Sequence, residues 1–294
     1  MTVTAPGRTA RWVVGARPRT LPASIAPVLV GATAARPLPI EWGRLALCGV
    51  VALALQVGTN YANDLHDGVR GTDARRVGPL RLVGSGLASP SSVRVAALTC
   101  FAVAGGAGLW LAALTSWWLV LVGAAALAAG WGYTGGPRPY GYDGLGEPFV
   151  FVFFGLVATA GTTYCLTGRL TGLAVLAGVS MGAFACALLD ANNLRDRAGD
   201  EAAGKRTLSV RLGRRRGGWL FIGLLATGVA SGAACAVWRP GAVLVLAVTP
   251  LVVVPVHAAL SKLEGPSLLP VLARTARVQL AAGVLLAVGL WWTA

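Results

Sequence analysis

The stretch LALCGVVALALQVGTNYANDLHDGVRGTD, residues 45–73, joins two kinds of chain that rarely meet. Its first half is uncharged and apolar, and about 20 such residues cross the hydrocarbon core of a bilayer. Its second half gathers Asp64, Asp67 and Asp73 with Asn60, Asn63 and His66. Ionisable groups at the end of a membrane segment are expensive to keep there unless they are paired or used. The stretch therefore sets two expectations, a membrane-spanning helix and chemistry at its polar end.

The rest of the chain agrees with the first. Of 294 residues, 55% are hydrophobic and 12% charged, with a mean hydropathy of +0.68; a soluble domain carries about 25% charged residues. Nine apolar runs stand out, near 20–35, 45–61, 95–113, 117–131, 149–166, 170–189, 218–237, 242–260 and 278–292. In lipid every backbone polar group must be satisfied within the segment, which makes helices the expected spans. The expected fold class is all-α, a polytopic membrane protein of about nine transmembrane helices forming one domain over 1–294. The first and last runs are short and need help from flanking residues or local thinning. Forty glycines suit close helix–helix approach through small residues.

Charge placement gives the orientation. With the N-terminus in the cytoplasm, the outer connections hold Arg36, Arg44, Arg169 and Arg239, and the other 21 of the 25 Lys and Arg face inward. That is a strong positive-inside bias, and omitting the first span would expel the Arg8, Arg11, Arg17 and Arg19 cluster. The formal charge of +14 is thus spread over short connections, as topology requires, and points to no nucleic acid. No cleavable leader is expected, because Arg17 and Arg19 break the N-terminal apolar stretch. The five cysteines all lie in apolar runs without CxxC spacing and read as packed thiols. Of eleven acids only Glu41 falls on the outer side, and topology does not demand that.

The opening motif has an echo in LLDANNLRDRAGDEAAGKRTLSVRLG, residues 188–213. Asn60 and Asp64 repeat as Asn192 and Asp196, and Asp67 is answered by Asp200. If the helices persist, i,i+3 and i,i+4 spacing puts each acid pair on one face. Two such helix ends on one membrane side, at 60–73 and 190–206, would make a four-carboxylate site and a weak internal repeat. Mg²⁺ prefers such oxygen ligands, using one or two carboxylates plus substrate phosphates. Lys205 and Arg206 then neutralise further phosphate charge. The alternative is that these acids form salt bridges with neighbouring arginines. A third connection, YTGGPRPYGYDGLGEP at 133–148, is too rich in Gly and Pro for a helix. It offers Tyr133, Arg138, Tyr140, Tyr142, Asp143 and Glu147 beside the acidic segments, to cover the site, to contact phosphate through Arg138 or to bind an aromatic acceptor; a plain turn with interfacial tyrosines is the competing reading. His66 is a candidate for proton transfer, and His257, alone in an apolar run, reads as a packed side chain.

NDLHD and DANNLRDRAGDEAAGKRT resemble the two aspartate-rich motifs of the UbiA superfamily of intramembrane prenyltransferases. ARPRTLPASIAPVLVG (16–31), YTGGPRPYGYDGLGEPFVFVFFG (133–155) and NNLRD…AGKRTLSVRLG (192–213) look most like its branch that uses 1,4-dihydroxy-2-naphthoate, and NDLHDGVRGTDARRVGPLRLV looks like actinobacterial members. The resemblance implies nine helices around a central cavity open to the bilayer. It implies Mg²⁺-dependent transfer of a polyprenyl group from polyprenyl diphosphate to the naphthoate, with loss of CO₂, giving demethylmenaquinone at the cell membrane. By position Asp64, Asp67, Asp196 and Asp200 are the implied catalytic metal ligands. Asn60, Asn63, Asn192, Lys205, Arg206, Arg138, Tyr133 and Tyr140 are the implied contacts to diphosphate or acceptor. The family's commoner pattern puts a third acid where this chain has Gly71, which weakens Asp73, and His66 occupies a variable position. Two alternatives stay open: another acceptor, such as 4-hydroxybenzoate or homogentisate, and a secondary transporter.

Overall fold

Uncharged runs rich in Leu, Val and Ala gain most in lipid as helices, and helices are what they form. The computed structural model describes residues 7, 9–72, 80–261 and 265–294, and every regular element among them is helical. Asp73 lies outside the described residues. The α-helices are α1 (Ala10–Ala16), α2 (Pro22–Ala34), α3 (Trp42–Val69), α4 (Pro90–Leu114), α5 (Leu119–Gly132) and α6 (Gly146–Val150). They continue as α7 (Ala158–Thr167), α8 (Gly172–Ala202), α9 (Leu208–Ala234), α10 (Thr249–Leu260) and α11 (Leu269–Trp292). A π-helical stretch, Phe151–Val157, joins α6 to α7, and a 3₁₀ stretch, Pro240–Val248, leads into α10.

Seven continuous helical runs are long and apolar enough to cross a membrane, and two shorter apolar helices, α2 and α5, complete the set. Their positions match the nine apolar runs of the sequence. The last differs in length: it occupies Gly265–Trp292 rather than starting at 278. Arg274 and Arg277 look like a boundary in sequence, but both lie on the exposed face of a helix that continues past them. Long basic side chains tolerate this by carrying their charge outward on an apolar stem.

Two helices reach beyond their apolar part, α3 to Val69 and α8 to Ala202, so both acid motifs are helical. The core is centred on α8, whose Ala174, Ala177, Met181, Phe184, Ala187 and Ala191 are buried. It packs against α9, α11 and the π-helical stretch. Because lipid offers no hydrophobic drive between helices, closeness of approach decides such packing. A Cβ on Gly155 would lie 2.4 Å from the Gly182 Cα, and one on Gly289 would lie 2.0 Å from the Gly241 carbonyl oxygen. Large apolar side chains such as Trp110, Leu121, Val237 and Trp292 point outward, where lipid rather than water suits them.

Candidate active site

The ends of α3, α5 and α8, the start of α2 and the π-helical stretch enclose a cavity of about 800 Å³. Val51, Leu55, Ala126, Phe154 and Val157 make much of its wall apolar, and one end collects nearly all the charge. The π-helical stretch lends it Phe153, Phe154, Leu156 and Val157; a wider turn re-aims side chains and often marks a functional site.

Asp67, 3% exposed, is the centre of the polar end. Its Oδ1 accepts from the Tyr142 hydroxyl at 2.5 Å and from Lys205 Nζ at 3.1 Å, and its Oδ2 lies 3.8 Å from Arg81 Nη2. Lys205 Nζ also stands 3.9 Å from Asp200 Oδ1 and 4.5 Å from the Tyr142 ring centroid. One ammonium therefore joins the two acid motifs. The backbone delivers it there: α8 ends at Ala202, Gly204 just beyond it has a φ of +75° that reverses the chain, and Lys205 N donates to the Asp200 carbonyl at 2.8 Å. The 133–148 segment is held in place by Arg206 N, which donates to the Tyr142 carbonyl, and by Arg70, which donates to the carbonyls of Thr134 and Gly136.

Burial alone would lower the pKa of Lys205, but Asp67, Tyr142 and Asp200 outweigh it and raise it above the ordinary value. Burial and then Asp67 push the Tyr142 phenol up. Burial does the same to Tyr140, and to Tyr133 with help from Glu147. All three phenols stay neutral near neutral pH, so Tyr142 is a donor to Asp67. Tyr133, Tyr140, Phe149 and Phe153 form an aromatic ladder along the cavity, with centroid separations of 5.5, 4.0 and 6.2 Å.

Asp196 also lines the cavity. Arg195 grips it with two bonds, Nε to Oδ1 at 2.7 Å and Nη2 to Oδ2 at 2.6 Å, and its Nη2 donates to Asn192 Oδ1 as well. Asn63 accepts from Thr134 Oγ1 at 2.8 Å. Asn60 donates to the Ala16 carbonyl at 2.9 Å and belongs to a buried polar network with Gln56 and Thr20. Among the described residues no three of His, Cys, Asp and Glu close around one point. The donor set is instead the side-chain oxygens of Asp67, Asp196, Asp200, Asn63 and Asn192 along one cavity. That set is all oxygen and leaves positions for phosphate and water, which fits Mg²⁺.

Of the residues expected at a site, Asp67, Asp196, Asp200, Asn60, Asn63, Asn192, Lys205, Tyr133 and Tyr140 line this cavity. Asp64, Arg138 and Arg206 are not among its lining residues. Asp64 is fully buried, and its two oxygens accept from the backbone N–H groups of Leu82 and Val83 at 2.8 and 2.9 Å. Arg138 and Arg206 are exposed. His66 packs edge-on against Trp131 at 4.8 Å; Asp190 accepts from Ser209, and Glu147, itself outside the lining, accepts from the lining residue Asn193. Arg81 and Arg195, which the sequence reading passed over, take up the acids. Arg195 had a visible signal, sitting between Asn192 and Asp196 in the motif itself; Arg81 had none, since its role depends on the path of the chain after α3.

The model of the UbiA prenyltransferase family matches residues 24–268. A 1,4-dihydroxy-2-naphthoate octaprenyltransferase of Mycobacterium tuberculosis is 48% identical over 267 residues, 90% of this chain and 91% of that protein. The protein of the same name from Escherichia coli is 35% identical over 220 residues, 70% of each. Among solved structures, the apo UbiA homolog from Aeropyrum pernix K1 is similar at a TM-score of 0.69 with 16% identity, covering 93% of this chain and 97% of that one. The UbiA homolog from Archaeoglobus fulgidus bound to GPP and Mg²⁺ gives 0.63 with 16% identity, over 95% and 99%.

Proposed function

This chain belongs to the UbiA prenyltransferase family, and on that footing we propose that it transfers a polyprenyl group from polyprenyl diphosphate to 1,4-dihydroxy-2-naphthoate, giving diphosphate, CO₂ and demethylmenaquinol, the quinol form of demethylmenaquinone. One observation carries the reading: a largely apolar cavity of about 800 Å³ ends in a cluster of oxygen donors and cations that suits a diphosphate. The naphthoate as acceptor is supported by the names of relatives at 48 and 35% identity.

Asp67, Asp196 and Asp200, with the amide oxygens of Asn63 and Asn192, would hold Mg²⁺. When bound, the ion supplies positive charge that stabilises the departing diphosphate. Lys205 and Arg81, already beside Asp67, take phosphate oxygens, and the Tyr142 hydroxyl keeps Asp67 oriented. Cleavage of the allylic C–O bond leaves the electron pair on the diphosphate and an allylic cation behind. The apolar wall keeps water from that cation, and the π faces of Tyr140, Phe149 and Phe153 stabilise it. The ring carbon carrying the carboxylate forms the new C–C bond, and loss of CO₂ returns its electron pair to the ring. An apolar cavity among membrane spans spares both the donor's tail and the lipid product exposure to water. We place the acid-bearing end toward the cytoplasm of the cell membrane, as the 21 inward-facing basic residues support.

The test supplies geranylgeranyl diphosphate and Mg²⁺ to purified protein with dihydroxynaphthoate, 4-hydroxybenzoate or homogentisate side by side. Dihydroxynaphthoate is expected to be consumed, and Asp67→Ala and Asp196→Ala to lose the activity. Preference for either other acceptor overturns the substrate assignment, and undiminished turnover by both variants overturns the site.

A further inference from the structure

The stretch ARPRT at 16–20 contributes none of the bonds to Asp67, Asp196 and Asp200 described above, yet it carries the most unusual backbone among the described residues. Arg17 has φ 53° and ψ 69°, and it is the one non-glycine residue at positive φ among the described residues. A side chain held in that region costs free energy, so it persists only where surrounding contacts impose it. Here they do: α1 ends on it, its N–H donates to the Val14 carbonyl, and its carbonyl accepts from both N and Oγ1 of Thr20. Pro18 then fixes the next turn. The result turns the Arg17 side chain into the cavity. There its Nη2 is buried with no hydrogen-bond partner among the described residues, and no ion pair with a carboxylate is found for it among them.

Beside it runs a wall of polar groups inside an otherwise apolar part of α2 and α3. Ser24 donates to Gln56 Oε1 at 3.2 Å, and the Gln56 amide reaches Asn60 Oδ1 at 3.3 Å. Asn60 Nδ2 in turn donates to Thr20 Oγ1 at 3.1 Å. All four line the cavity. Polar side chains at this depth are expensive and usually serve a ligand, and a buried guanidinium nitrogen lacks only an acceptor. Asn60 lies seven residues before Asp67 on α3, about 10 Å along the helix axis. The Asn60–Thr20 bond therefore sets this polar wall about two helical turns from Asp67, room enough for an aromatic ring between an anion held at the wall and a reacting carbon beside the diphosphate. The cations nearest Asp67, Lys205 and Arg81, already serve the diphosphate end.

We propose that Arg17, framed by Thr20, Ser24, Gln56 and Asn60, is the subsite that reads the carboxylate and adjoining hydroxyl of the aromatic acceptor. The guanidinium takes the carboxylate by a charge-assisted bond, and the amides and hydroxyls of the wall take the phenolic oxygen. The inference rests on the aryl-acceptor reading above and adds to it the residue that distinguishes a hydroxynaphthoate from a plain naphthol.

The experiment measures binding of two unreactive probes, 1-hydroxy-2-naphthoate and 1-naphthol, to the full chain in nanodiscs by tryptophan quenching. The same preparations are assayed for the KM of geranylgeranyl diphosphate. Arg17→Gln is expected to weaken 1-hydroxy-2-naphthoate by about tenfold or more. It should leave 1-naphthol and the donor's KM within about twofold, and Arg17→Lys should fall between. An equal loss for both probes, no loss for either, or a loss confined to the donor's KM overturns the proposal, the last outcome assigning Arg17 to the diphosphate. Failure of wild-type protein to prenylate dihydroxynaphthoate sinks the function proposed above but not this inference, because the binding comparison still judges Arg17.

Discussion

Replacing Asp64 by Asn separates the two aspartates that stand three residues apart in NDLHD. Asp64 is fully buried, with Leu82 N–H at 2.8 Å from one oxygen and Val83 N–H at 2.9 Å from the other. Asn keeps one acceptor oxygen but turns an amide NH₂ toward the second N–H, so one charge-assisted bond is lost and a buried donor is left facing a donor. A bond to a charged group contributes about 1.5–3 kcal/mol, and a stranded donor costs at least as much as the lost bond. The expected loss is therefore about 2–4 kcal/mol, or roughly 5–10 °C in the unfolding midpoint for a chain of this size. Asp67→Asn is the opposite case. Its carboxylate faces the cavity, so stability changes little while prenyl transfer falls by more than about a hundredfold, the scale of losing one preorganised electrostatic contact. Thermal unfolding of the two variants in detergent, with Mg²⁺ titrations of residual activity, gives the comparison. The reasoning is refuted if Asp64→Asn keeps the wild-type midpoint but needs about tenfold more Mg²⁺, since Asp64 would then be a ligand and not a fastener.

Other expectations follow from the same geometry. Lys205→Met should raise the donor's KM by about tenfold or more with a smaller effect on the acceptor's KM, read from steady-state kinetics. Gly155→Ala forces a Cβ to within 2.4 Å of the Gly182 backbone, where neither helix can yield cheaply; a loss of about 2 kcal/mol or more is expected in chemical unfolding. Arg138→Ala should leave kcat/KM within about twofold, because that side chain is exposed and outside the cavity lining. Tyr142→Phe removes the donor to Asp67 and should lower kcat several-fold. Because the Tyr142 phenol is pushed above its ordinary value, wild-type activity should show no loss from its ionisation between about pH 7 and pH 9.

The spans were legible because hydropathy and length decide them with little help from tertiary contacts. The short α2 and the helical ends carrying both acid motifs follow from that reading. The start of the last span did not, because Arg274 and Arg277 interrupt the hydropathy without interrupting the helix. The candidate site was legible as a set of motifs but not in its detail, and α3 shows why. At about 100° of turn per residue, Asn60, Asn63 and Asp67 fall within about 60° of one another. Asp64 lies outside that arc, about 100° round from Asn63, on the side where the backbone after α3 captures it. Sequence spacing gives those relative angles but not which arc faces the cavity, because helix rotation is set by partners elsewhere. For the same reason Arg138 and Arg206 read as phosphate contacts in sequence, while the connection between α8 and α9 uses the backbone of Arg206 and turns its side chain outward. Arg17 was visible as part of a topology cluster and of the family-like stretch at 16–31, with no role attached to it; its left-handed backbone and buried nitrogen are properties of the fold.

The central claim is that this cavity joins a prenyl chain to a carboxylated naphthalenediol and releases the carboxyl group. Mass spectrometry of the lipid product from purified protein, geranylgeranyl diphosphate, Mg²⁺ and dihydroxynaphthoate labelled with ¹³C at the carboxyl tests it most directly. The account predicts a prenylated naphthoquinol that lacks the label, with the label recovered as CO₂. A product that retains the labelled carboxyl, or no prenylated naphthalene at all while the acids and Lys205 are intact, would contradict it.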